Sequence, residues 1–92
     1  LPMPWLTCHD ELGSAIEGEI VDISEVGLCL RMQGQAILGQ IYILSFKDRE
    51  MQVEVKWCRF VKDDNAYHCG LELMHGQSGL LGELAKVWSI GD

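Results

Sequence analysis

Between Met51 and Val61 the chain alternates. Met51, Val53, Val55, Trp57 and Val61 fall on one face of an extended segment, and Gln52, Glu54, Lys56 and Cys58 on the other. A period of two fits a half-buried strand and excludes a surface helix, whose apolar residues recur every three to four positions. The alternation therefore predicts that Met51, Val53, Val55 and Trp57 pack in a core. Asp63-Asp64-Asn65 follows as a turn signal, and Tyr67 to Met74 returns as the partner strand of a hairpin.

The remaining segments obey the same grammar. Leu1 to Leu6 is apolar but broken by Pro2 and Pro4, which reads as an extended lead-in or an edge strand. His9 to Gly13 is polar and ends in glycine, as a hairpin loop does. Ile16 to Ile23 is strand-like though diluted by Gly18 and two glutamates, and Leu28, Leu30 and Met32 alternate with Cys29 and Arg31. Ile41 to Phe46 is apolar on both faces, which predicts a fully buried strand. Only after Ser78 does the period change. Leu80, Leu81, Leu84, Val87 and Trp88 recur at helical spacing, with Ser78 as the cap and Gly91 as the stop. The pattern predicts a small all-β antiparallel barrel closed by a C-terminal α-helix, since closure removes edges that so apolar a sheet would otherwise expose. A two-sheet sandwich is the competing arrangement.

Composition narrows the function. A chain of 92 residues reads as one domain over 1–92. The formal charge is −7 and the first thirty residues contain no Lys or Arg. Binding DNA or RNA through phosphates, or docking on anionic lipid, needs clustered cations, so neither nucleic acid nor a membrane surface is an expected partner. No apolar run reaches membrane-helix length and no leader is seen, so a cytoplasmic location is expected. The thiols Cys8, Cys29, Cys58 and Cys69 are then expected to be reduced and to serve as small hydrophobes. With His9, His68 and His75 they offer no zinc-ligand spacing, so no metal site is expected. No histidine has a serine or cysteine partner at recognisable spacing, and Gly76-x-x-Gly79-x-x-Gly82 lacks the lysine of a phosphate loop, so no catalytic residue is assigned.

One polar stretch stands out, Asp22-Ile23-Ser24-Glu25-Val26-Gly27, between two strand-like runs. Gly27 supplies the permissive backbone that a turn needs. Asp22 and Ser24, two residues apart, project to the same side and could hydrogen-bond a flat, donor-rich ring such as guanine, or could simply shape the turn. Lys47, Arg49, Lys56, Arg59 and Lys62 gather most of the positive charge within one strand pair, where charges most often only solvate a face.

Gly18-Glu19-Ile20-Val21-Asp22-Ile23-Ser24-Glu25-Val26-Gly27-Leu28 resembles the D/N-x-S-x-x-G signature of PilZ domains, bacterial modules that bind cyclic di-GMP. The resemblance extends to the long strand with Trp57, to Gly70-Leu71-Glu72-Leu73 and to the closing helix, and it implies a six-stranded barrel. It further implies a regulatory binding module and not an enzyme, with Asp22, Ser24 and Gly27 as ligand-binding residues. Trp57 is a candidate for stacking guanine, and Arg59, two residues along on the same side, is a candidate beside it. Cyclic di-GMP is then the ligand, with no further cofactor, and an attached domain or protein partner receives the signal. The family's R-x-x-x-R segment is absent. Either it precedes Leu1 in a longer protein, or the chain is a divergent adaptor that binds protein in place of nucleotide.

Overall fold

The computed structural model describes residues 5–46 and 49–74. Six strands account for most of them: β1 (Trp5–His9), β2 (Ala15–Ile23), β3 (Gly27–Met32), β4 (Ile41–Phe46), β5 (Arg49–Val61) and β6 (Ala66–Leu73). All pairings are antiparallel, and the strands close into a barrel in the order β1-β2-β3-β6-β5-β4. The seam between β1 and β4 is short, with Cys8 opposite Leu44 and His9 opposite Ile43. The sandwich alternative is thereby excluded. The first strand is no edge, because the barrel has none. The expected helix after Ser78 lies outside the described residues.

Turn chemistry sets the hairpins. The Asp10 carboxylate accepts the N–H groups of Leu12 and Ser14 at 2.9 and 2.8 Å, folding the link between β1 and β2. Between β5 and β6, Lys62–Asp64 form one turn of 3-10 helix that ends at Asn65. With φ 50° and ψ 42°, Asn65 occupies the left-handed region that asparagine tolerates better than most side chains. The Asp63-Asp64-Asn65 signal is thus used as expected.

The core is the inward half of each alternation. Ile20, Leu30, Leu44, Met51, Val53 and Val55 are almost completely buried, and Leu28, Met32 and Leu71 close the layer around them. Each such side chain contributes about 1.5–3 kcal/mol by leaving water. Two expectations fail here. β4 buries one face only: Tyr42 and Leu44 point inward, whereas Ile41 is exposed and Ile43 half-buried. Leu12, Ile37 and Leu38 are likewise exposed. Trp57 is not in the core. It is 41% exposed, while Met51, Val53 and Val55 on its nominal face are at most 1% exposed.

The reason lies in the ladder. Val55 pairs with Leu71 but Trp57 pairs with Gly70, so two residues of β5 oppose one of β6. This β-bulge leaves both Lys56 and Trp57 on the outside and shifts the phase of everything after it. Cys58, assigned to the polar face by alternation, turns in against the core opposite Cys69, and Val61 no longer shares the core face. A second bulge lies in β2, where Ile20 pairs with Leu30 and Asp22 with Cys29. It points Asp22 out and brings Ile23 against the core.

Candidate functional site

The two bulges lie at the same level of the barrel. Reading across the strands, Asp22 of β2 pairs with Cys29 of β3, Cys29 with Gly70 of β6, and Gly70 with Trp57 of β5. These form one row on the outer face, spanning three strand spacings or about 14 Å. One residue along, the row Ile20–Leu30–Cys69–Cys58 faces the core. Above the outer row is an open hollow of about 240 Å³, with Asp22, Ser24 and Gly27 on one flank and Lys56 and Trp57 on the other. Cys29 and Gly70 are its floor, and Glu72 is at its rim.

The β2–β3 turn holds the acidic flank. The Ser24 N–H donates to the Gly27 carbonyl at 2.8 Å, and the Ser24 hydroxyl donates to the same oxygen at 3.3 Å. The Val26 carbonyl accepts the Leu73 N–H at 2.8 Å, tying the turn to β6. Asp22 Oδ1 accepts the Ile23 N–H at 2.9 Å, and among the described residues its other oxygen has no partner. Asp22 and Ser24 therefore shape the turn and line the hollow at once. Gly27 does so by a route the sequence did not indicate. Its backbone is not in the left-handed region. A Cβ there would instead collide with the Leu71 carbonyl oxygen and lie 3.3 Å from Glu72 Cα, so glycine lets β3 and β6 approach.

The aromatic flank depends on Gly70. Its absent side chain leaves the place where the Trp57 indole rests; a Cβ would come within 2.7 Å of Cδ1 and nearer still to Nε1 and Cε2. The Arg59 guanidinium stands 5.3 Å from the centre of the Trp57 ring, a cation–π pairing. Arg59 borders the hollow but does not line it. Lys56 does line it, with its ammonium 3.4 Å from Glu54 Oε2.

The next outer row is Glu19–Arg31–His68–Arg59. Arg31 reaches Glu19 at 3.2 Å and Asp64 at 2.9 Å, the latter as an ion pair at an angle too poor for a hydrogen bond. His68 Nε2 lies 2.7 Å from Asp64 Oδ2. That hydrogen bond holds the Asp64 carboxyl below its ordinary value, against a partial desolvation and with help from Arg31.

The thiols are shielded. Burial pushes Cys8 up to about 12, and burial together with the neighbouring Cys58 thiol does the same to Cys69. Cys29 is raised as well, by burial first and by Asp22 second, with Arg59 opposing. All four are free. Among the described residues no three His, Cys, Asp or Glu side chains converge on a metal-sized point, and no helix is long and apolar enough to cross a membrane.

Asp22, Ser24, Gly27 and Trp57 thus meet around one hollow, with Arg59 against Trp57. Cys29, Gly70, Lys56 and Glu72 were not singled out from the sequence as site residues. Gly70 carried a usable signal, since a glycine inside an apolar strand marks a bulge or a close approach. Lys56 was placed on the outer face and in the basic cluster by alternation alone, but nothing in Val55-Lys56-Trp57 announces the break in pairing that sets Trp57 beside it.

Neither the curated proteins nor the solved structures yield a match to this chain. A family model does: the PilZ domain, over residues 5–86. That match spans all six strands, and the D-x-S-x-x-G stretch turns from β2 into β3 within it. The chain belongs to the PilZ domain family, whose members are in general cyclic di-GMP-binding regulatory modules and not enzymes.

Proposed function

We propose that this domain senses cyclic di-GMP, with one guanine seated in the hollow on the outer face of β2, β3, β6 and β5. The observation that carries the reading is the row Asp22–Cys29–Gly70–Trp57. It sets a carboxylate and an aromatic face on opposite sides of a floor made of two small residues. Guanine presents donors on one edge and a π-face for stacking. Asp22 and Ser24 would accept from the edge, and Trp57 would stack on the face.

Size supports a partial fit. Pockets that enclose a whole small-molecule ligand run from about 300 to 1,000 Å³, and the hollow is about 240 Å³. It suits one base and leaves the phosphates at its open mouth, within reach of cations on its wall and border. Arg59 borders that mouth. Binding would re-pose an attached domain or partner, the ligand acting through its preference for one arrangement over the other.

Calorimetry with cyclic di-GMP, on the protein with its natural flanking sequence, tests the assignment. Asp22→Ala removes one charge-assisted hydrogen bond of about 1.5–3 kcal/mol, so affinity should fall about ten- to a hundredfold. Undiminished affinity would remove Asp22, and with it this seat for the base.

A further inference from the structure

A regular ladder at Val55-Lys56-Trp57 would send Lys56 out and Trp57 in. The bulge in β5 keeps Lys56 out and adds Trp57 to the same face, so that an ammonium group and an indole line one hollow. Lys56 differs in this from the other cations of the same face. Arg31 is engaged by Glu19 and Asp64 on the adjacent row, and Arg59 is spread over the Trp57 ring outside the hollow. The Lys56 ammonium meets only one carboxylate oxygen among the described residues, that of Glu54 at 3.4 Å, and its side chain is 45% exposed. An exposed pair of that kind is worth little and exchanges readily for a better anion.

Charge balance calls for such a group. Asp22 lines the hollow and Glu72 rims it, in a chain of formal charge −7. A nucleotide whose base lies between Asp22 and Trp57 brings phosphates into a field that repels them. A cation on the wall offsets that repulsion at the point of contact. We propose that Lys56 is a phosphate-binding residue of this hollow, and that Glu54 is the counter-ion it exchanges for a phosphate oxygen. The assignment rests on the cyclic di-GMP reading given above. It adds a binding residue on β5 itself, independent of any arginine supplied from upstream.

Titrating cyclic di-GMP into the protein with its natural flanking sequence, at two or more salt concentrations, decides it. Lys56→Met should weaken binding about tenfold or more, as expected for losing a charge-assisted contact. Its affinity should also depend less on salt than that of the wild type. Lys56→Arg should stay within a few-fold of wild type, and Glu54→Gln should bind more tightly. Lys56→Met within twofold of wild type, while Asp22→Ala loses binding, would overturn the assignment and leave the nucleotide reading standing. No binding by the wild-type protein would remove the nucleotide reading, and Lys56 with it.

Discussion

β2 and β5 each carry a one-residue bulge at the same level of the barrel, yet only one of them was hidden by its sequence. In β2 the extra residue falls at the strand's end, where Asp22 is polar and belongs outside on any reading. The phase shift there sends Asp22 to the side its chemistry already assigns it. In β5 the extra residue falls in the middle of an 11-residue alternation, Met51 to Val61, and the large apolar Trp57 follows it. Alternation assigns that tryptophan to the core; the ladder puts it on the surface. Residue type predicts the facing of a strand only while pairing stays regular.

The difference can be broken most decisively on β5. Met51→Ala should lower stability by about 2–5 kcal/mol, because it empties volume in a closed core. Trp57→Ala, although a larger deletion, should lower it by only about 1 kcal/mol, as for a half-exposed side chain. Urea denaturation of the two variants compares them directly. If Trp57→Ala matches the roughly 3–5 kcal/mol of a core tryptophan, the bulge is misplaced and the regular alternation is right.

That contrast also marks what could be read in advance. The barrel was legible because hairpin signals such as Asp63-Asp64-Asn65 and short alternating runs leave few ways to hide apolar faces. The acidic flank was legible because Asp22, Ser24 and Gly27 lie within six consecutive residues. The opposite flank was only half legible. Trp57 and Arg59 entered as family candidates, but their exposure depends on a pairing slip that no residue between Val55 and Cys58 encodes. Cys29 and Gly70 become floor residues only when β3 and β6 lie side by side. Non-local register, not residue chemistry, was the missing information. The apparent two-faced burial of β4 failed for a related reason. Ile41 to Phe46 carries apolar residues on both faces, but a six-stranded barrel has one inside, so Ile41 and Ile43 are left on the outer wall.

Gly70 sharpens the comparison from the other strand of the pair. Gly70→Val places methyl groups where the Trp57 indole rests, and should lower stability by about 1–3 kcal/mol through overpacking. The indole must move further into water. The tryptophan emission lost on Trp57→Phe should accordingly lie to the red in the Gly70→Val background. An unchanged emission would mean that Trp57 does not rest on β6, and the aromatic flank of the hollow would have to be redrawn. Gly27→Ala is the matching change beneath the acidic flank, where the obstacle is the Leu71 carbonyl and not a side chain that can swing away.

The smallest effect concerns how the adjacent row is held. Asp64 joins β3 to β6 through Arg31 and His68, and its carboxyl titrates below the ordinary value of about 4 chiefly because His68 hydrogen-bonds it. The sign follows from linkage. A carboxyl with a depressed folded-state value adds stability above the unfolded value, and that stability is lost as pH falls through the folded one. Asp64→Asn should therefore be less stable than wild type at neutral pH, and the gap should close as the solution is acidified below about pH 4. Both β2 and β5 border this cluster, through Glu19 and Arg59. Arg59 should keep its place on Trp57 in the variant, since that contact does not pass through Asp64. A gap that stays constant with pH would show that Asp64 acts by shaping the β5–β6 turn and not by its charge. The outer row would then be held by backbone pairing and the Arg31–Glu19 pair, without Asp64.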